Sequence, residues 1–304
     1  MSRLHLLLLC SALPLVACGE DGPSGPVRGY VVSEASVPTS NPQATEFGLD
    51  LNGDKVVDNQ LGAVLAALSS QGFKVQDAVT TAIKEGSIIL LVEFQAGNLA
   101  SGAAGLAVKL GDAPMPAACS STTDMVCGHH LDGNGSFAVA AGSPQNAAVE
   151  GKIVGGTFNG GPGDIALEIA LGGTTPIQLD LIGARAKASG ITEAGIDSLV
   201  VGGALPIDDL NTKVIPAIYA QIAPLVSADC PGTVPPDCGC ATGSTGRTIL
   251  NLFDAVPKDC KITVDEIANN TLIKSLLAPD VTIEGKMALS LGLKVKTVKA
   301  TIRP

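Results

Sequence analysis

The sequence has no tryptophan, two tyrosines and six phenylalanines, so aromatics make up 3% of its 304 residues. Single-stranded nucleic acid and carbohydrate are both gripped largely through aromatic faces, so this chain is poorly equipped for either. Positive charge is also scarce: 19 Lys and Arg stand against 29 Asp and Glu, a net charge of −10. Phosphate backbones need a basic surface, which excludes nucleic acid on a second ground. Past the N-terminus no apolar run is long enough for a membrane-spanning helix. There is no Gly-x-Ser-x-Gly elbow, no His-Glu-x-x-His pair and no phosphate-binding Walker loop. Of three histidines, only His129 and His130 lie beyond the first residues. Adjacent side chains on an extended segment point apart, so these two read as exposed residues of a turn-rich hairpin.

Aliphatic residues and glycine are plentiful. Hydrophobic residues reach 46% and Gly numbers 36. Such a chain can bury a core, and its glycines punctuate alternating apolar segments as turns and strand kinks.

Met1 to Ala17 begins with Arg3 and continues through an apolar stretch opening at Leu6-Leu7-Leu8-Leu9. This is the pattern of a secretory signal, too short to span a membrane. It ends in Leu15-Val16-Ala17-Cys18-Gly19, which resembles the lipobox of bacterial lipoproteins. The resemblance implies cleavage before Cys18, acylation of that cysteine and anchorage in the cell envelope. Gly19, where an Asp would mark inner-membrane retention, implies the outer membrane, on a face the motif does not give. The expected organisation is a signal peptide over 1–17, an acylated Cys18 with a flexible tether over 18–45, and one domain over 46–304. Pro23, Pro26, Pro38 and Pro42 among Gly, Ser and Asn support the tether.

Leu61, Val64, Leu65 and Leu68, then Val75, Val79 and Ile83, recur at helical spacing, with Gly72 between the two groups. Ser87 to Phe94 is an apolar run of strand length. From Gly105 to Leu205 the period is two, with Gly160-Gly161-Pro162-Gly163 and Gly172-Gly173 as turns. A helix is expected over 207–225, kinked or split by Pro216 and Pro224. Helices near 248–253 and 263–277 follow, the second opened by a Thr263/Glu266 capping box, and one or two strands close the chain over 286–302. The expected fold is α+β: a Gly-punctuated antiparallel sheet with helices on one face or end, stapled by disulfides.

Cys10 leaves with the signal and Cys18 is lipidated in this reading. Cys119, Cys127, Cys230, Cys238, Cys240 and Cys260 remain, an even number in an exported chain, and read as three disulfides. Spacing favours Cys119–Cys127, and suggests Cys230–Cys238 and Cys240–Cys260 among fifteen ways of pairing.

Two loops carry oxygen ligands at suggestive spacing. Asp50, Asn52, Asp54 and Asp58 fall at relative positions 1, 3, 5 and 9, where loop side chains converge on a hard cation. The phrase resembles EF-hand and dockerin calcium loops, but Lys55 replaces the turn glycine and Leu61 the bidentate acid. Asp58 and Asn59 equally suit a cap for the helix that follows. Asp254, Asp259 and Glu266 lie in a second phrase resembling an EF-hand, within a Cys-rich subregion over 229–280. One residue is inserted there and Cys260 takes the glycine position.

These features point to a non-enzymatic, lipid-anchored envelope protein. It is a binding or structural module, stabilised by calcium, with a protein partner or a lipid ligand. Its general resemblance is to bacterial lipoproteins with EF-hand-like phrases. A lipid carrier, with a curved sheet around an apolar cavity, is the second reading. An envelope hydrolase whose carboxylates meet only in space is the third.

Overall fold

A computed structural model describes residues 22–70, 75–119, 124–144, 147–169 and 177–303. The signal peptide, Cys18 and the Gly172-Gly173 turn lie outside the described residues.

The strands are β1 (Val27–Ser36), β2 (Leu90–Ala96), β3 (Gly102–Met115), β4 (Gly135–Val139), β5 (Ala148–Val154), β6 (Thr157–Ile169), β7 (Ile177–Ile191), β8 (Gly195–Pro206), β9 (Val281–Ile283) and β10 (Lys286–Arg303). All pair antiparallel except β4 with β10. The pairings form a ring: β1–β2–β3–β5–β6–β7–β8–β10, with β10 returning to β1. The expected α+β fold with an antiparallel sheet is present, and the sheet closes on itself as an eight-stranded barrel. Closure removes the exposed edges that an open sheet must protect.

Alternation sets the two sides of the wall. Tyr30, Val92, Leu106, Val149, Leu179 and Leu199 point inward and are buried. Inside, Phe94 and Phe158 meet edge to face with ring centroids 5.3 Å apart. Glu93 and Lys109 pair outside at 2.7 Å, as do Glu34 and Lys296 at 3.4 Å. A membrane-spanning barrel carries the reverse pattern, apolar outward.

The strand directions place every long insertion at one mouth. There β1 ends, β2 begins, β8 ends and β10 begins. At the other mouth the connections are short: 97–101, 155–156 and 192–194. The insertions carry α1 (Asn41–Glu46), α2 (Gln60–Ser70), α3 (Val75–Lys84), α4 (Ile207–Asp209), α5 (Ile215–Asp229), α6 (Thr245–Phe253), α7 (Val264–Asn269) and α8 (Thr271–Leu276). Ile83 of α3, Leu210, Val214 and Leu277 join the interior cluster and stopper this mouth. The helices therefore sit on one end of the sheet, as the patterning implied. The helix expected over 207–225 forms without a break: α4 runs through a π turn, Leu210–Val214, into α5, with Pro216 in the first turn of α5 and Pro224 inside it, so the prolines do not split it.

One expectation is overturned by the N-terminal segment. The tether expected over 18–45 contains β1, which lies between β2 and β10, and α1. Tyr30, Val31 and Val32 are all buried, so no alternation marks this strand. Val31 faces outward, but β4 and the far ends of β3 and β10 fold across it. Phe137 and Ile302 pack there on Val31 and Leu91.

The Cys-rich subregion has its own core of Val226, Ile249, Leu250, Phe253, Ile262 and Ile267, joined to the barrel through Ile218 and Ile273. Cys119–Cys127 forms as expected, but the other pairs are Cys230–Cys240 and Cys238–Cys260. A tight turn explains the exchange. Gly232 N–H donates to the Cys238 carbonyl and Ala241 N–H to the Asp229 carbonyl. The chain thus folds back on the end of α5, bringing the Cα atoms of Cys230 and Cys240 to 3.9 Å and leaving Cys238 facing Cys260.

Candidate functional site

The 50–58 loop leaves α1 and lies on the outside of the barrel. Leu51 anchors it against Ala204, Ile283 and Ala288, and a bridge between Leu49 and Asp58 closes it. The wall is flattened for this contact by Gly202 and Gly292, ladder partners on β8 and β10. A Cβ on Gly292 would come 2.3 Å from the Phe47 carbonyl oxygen.

Within the loop, backbone donors turn toward the carboxylates. Asp50 Oδ1 accepts from Gly53 N–H at 2.7 Å and Oδ2 from Lys55 N–H at 2.9 Å. Asn52 Oδ1 accepts from Asp54 N–H at 3.0 Å, Asp54 Oδ1 from Val56 N–H at 2.7 Å, and Asp58 Oδ2 from Leu51 N–H at 2.8 Å. Lys55 takes the left-handed conformation, φ 71°, that calcium loops assign to glycine. The four ligands anticipated from sequence therefore belong to one tightly wound turn. Burial raises the pKa of Asp58. The Leu51 N–H opposes that shift, and the nearby charges of Asp54, Asp280 and Asp50 reinforce it.

This donor set, three carboxylates and an amide oxygen, suits a hard cation. Each carboxylate oxygen that accepts one N–H keeps a further lone pair. What is missing is the bidentate acid, since Leu61 packs toward the barrel core. Asp280, invisible to sequence reasoning because it arrives from the far end of the chain, stands near Asp58. Its oxygens are taken by Ser290, through N–H at 2.7 Å and Oγ–H at 2.5 Å.

Asn59 is the helix cap, as one sequence reading allowed, and Asp58 is not. Its Oδ1 accepts from Gly62 N–H at 3.0 Å and Gly292 N–H at 2.8 Å. Its Nδ2 donates to the carbonyls of Ala44 at 2.9 Å and Gly292 at 3.1 Å.

The second loop repeats the signature. Asp254, 7% exposed, accepts from Asp259 N–H and Cys260 N–H, both at 3.2 Å, and Cys260 is left-handed at φ 66°. Asp259 Oδ1 accepts from Lys261 N–H at 3.0 Å. Glu266 is diverted from the ligand role. Its Oε2 accepts from Thr263 N–H at 2.8 Å and Oγ1–H at 2.9 Å, the expected capping box, and Oε1 accepts from Ala255 N–H at 3.0 Å. The Cys238–Cys260 bond holds the turn covalently. Beside it lies a groove of about 340 Å³ lined by Leu252, Phe253, Asp254, Asp265, Glu266 and Asn270. Among the described residues no three His, Cys, Asp or Glu side chains form a metal-holding group.

His129 is exposed as expected, but His130 is 0% exposed, in a 3-10 turn of residues His129–Leu131. The expectation of two exposed hairpin residues fails at His130 because a turn, rather than a strand, carries the pair.

No family model, no curated protein and no solved structure matches the chain.

Proposed function

We propose that this is a lipid-anchored envelope protein, a non-enzymatic binding or structural module that takes one calcium ion in the 50–58 loop. The carrying observation is the turn itself. Asp50, Asn52, Asp54 and Asp58 share it around a left-handed Lys55, and the carboxylates crowd Asp58. A divalent cation relieves that crowding and stabilises the fold by mass action. The 254–266 loop, with Glu266 spent on its helix, is held by its disulfide instead.

The anchor reading agrees with the barrel's polarity. β1 begins at the mouth of short turns, nine residues past Cys18 and so within about 30 Å of an acylated N-terminus. Val27 and Val154, 57% and 72% exposed, lie at this mouth. The helices and both acidic loops then face away from the membrane, where a partner can reach them. A carrier role is disfavoured because the barrel is filled by its own side chains, Phe94 and Phe158 among them.

Native mass spectrometry of metal-free protein titrated with calcium tests the site. One calcium adduct, lost in Asp50→Ala and kept in Asp254→Ala, is expected. Absence of an adduct at millimolar calcium overturns the calcium reading. Incorporation of labelled palmitate, abolished by Cys18→Ser, is the matching test of the anchor.

A further inference from the structure

We propose that His130 is an acid-sensitive latch that seats the 124–134 segment against the barrel and releases it when the imidazole gains a proton. The ring is completely buried, and among the described residues neither Nδ1 nor Nε2 has a hydrogen-bond partner of good geometry. It packs edgewise on Phe137, with centroids 6.2 Å apart, and its Nε2 lies against Gly86, 3.7 Å from where a Cβ would stand. A neutral imidazole fits this seat as a flat, largely apolar body. An imidazolium brings a second N–H and a full charge into a buried place where only the Ile83 backbone stands by as an acceptor.

The surroundings offer little compensation. The ionisable groups on the packed elements are Lys84 and Glu85 at the end of α3, Arg28, Tyr30 and Glu34 on β1, and Asp132 beyond the turn. Only Asp132 acts on the ring by its charge, and β4 has no ionisable side chain. Burial pushes the imidazole below its ordinary value, and the Ile83 backbone and Asp132 pull it only partly back. A group depressed in the fold makes the native state lose stability as pH falls below the unfolded value of about 6.5.

The latch holds a defined piece of structure. Leu131, the next residue, packs on both the barrel interior and the cluster of Val31, Ile89, Leu91 and Phe137. Release of the turn uncovers that cluster. The Cys119–Cys127 disulfide, with sulfurs 3.7 and 3.4 Å from the Lys84 carbonyl, does not titrate and keeps the freed segment at hand for return.

Hydrogen exchange by mass spectrometry, on the intact chain at pH 7.5 and 5.0 and corrected for intrinsic rates, tests this. Peptides spanning 124–139 are expected to exchange faster at pH 5.0, by about sevenfold for a depression of one pH unit and by at most about thirtyfold for any larger one, because pH 5.0 lies only about 1.5 units below the unfolded value. Strands β6 to β8 should not change. In His130→Phe the acceleration should vanish, while in His129→Gln it should persist. Equal protection at both pH values in the wild type overturns the proposal, as does acceleration surviving in His130→Phe. If His130→Phe does not fold, NMR titration of the wild-type imidazole decides. Titration at or above the ordinary value, with the turn still protected, overturns the latch.

Discussion

Asn59 makes the sharpest energetic prediction. It sits 7% exposed between α1, α2 and β10, and its amide makes four hydrogen bonds, to Gly62 N–H, to Gly292 N–H and carbonyl, and to the Ala44 carbonyl. Asn59→Ala removes all four and strands their partners beneath the loop. At about 1 kcal/mol for each bond, the loss is about 4 kcal/mol. For a domain of this size that lowers the melting temperature by roughly 8–16 °C. Asn59→Asp should fare no better at neutral pH. It keeps the Oδ1 contacts but aims a carboxylate oxygen at two carbonyls, and should recover partly in acid when protonation restores one donor. Asn52→Ala, in the exposed part of the same loop, should stay within about 0.5 kcal/mol of wild type. Urea unfolding in the presence of a chelator, which removes any contribution from calcium, measures all three. A loss below about 1 kcal/mol for Asn59→Ala, at unchanged slope, refutes the view that this amide clamps the loop to the barrel.

Other predictions follow from the same geometry. Proteolytic mapping under non-reducing conditions should recover Cys230 joined to Cys240 and Cys238 joined to Cys260. The double variant Cys238→Ser/Cys260→Ser, which opens a loop of sequence separation 22, should cost about 3 kcal/mol in thermal unfolding. Glu266→Ala removes the capping box and should cost about 1 kcal/mol, equally with and without calcium; a calcium-dependent loss would restore Glu266 as a ligand. Tyr30, its hydroxyl donating to the Thr192 carbonyl at 2.7 Å, is pushed up to about 12 by burial. Its folded value exceeds the unfolded one, so its contribution is complete below pH 10 and lost between 10 and 12. Ultraviolet titration should show a late phenolate step that Tyr30→Phe removes.

Local patterning made much of this fold legible. Apolar alternation gave β3 to β8, helical spacing gave α2 and α3, and Thr263 with Glu266 gave the start of α7. What stayed hidden depends on distant meetings. β1 is buried on both sides because β4 crosses it, so Val31 and Val32 show no alternation, and its proline-flanked setting reads as linker. Barrel closure rests on pairs such as Tyr30 with Lys299, which no window along the chain contains. In the candidate site, the spacing of Asp50, Asn52, Asp54 and Asp58 announced the turn. Lys55 accepting a left-handed backbone, Asp280 beside Asp58 and the diversion of Glu266 to its helix required the folded chain. His130 could not be separated from His129 by sequence, since one turn exposes the first and buries the second.

Pairing the first strand with the last also governs when the molecule can exist. β1 ends at Ser36 and its outer partner begins at Lys286, about 250 residues later. At roughly 5–20 residues per second, synthesis leaves β1 waiting on the order of 12–50 s for its seam partner. A chain that stops short of β10 cannot seal the wall, so closure of the barrel is deferred until that strand has been made. Until then β1 has one open flank, a template for pairing with another chain. Loss of Lys286–Arg303 should therefore abolish the fold entirely rather than trim it.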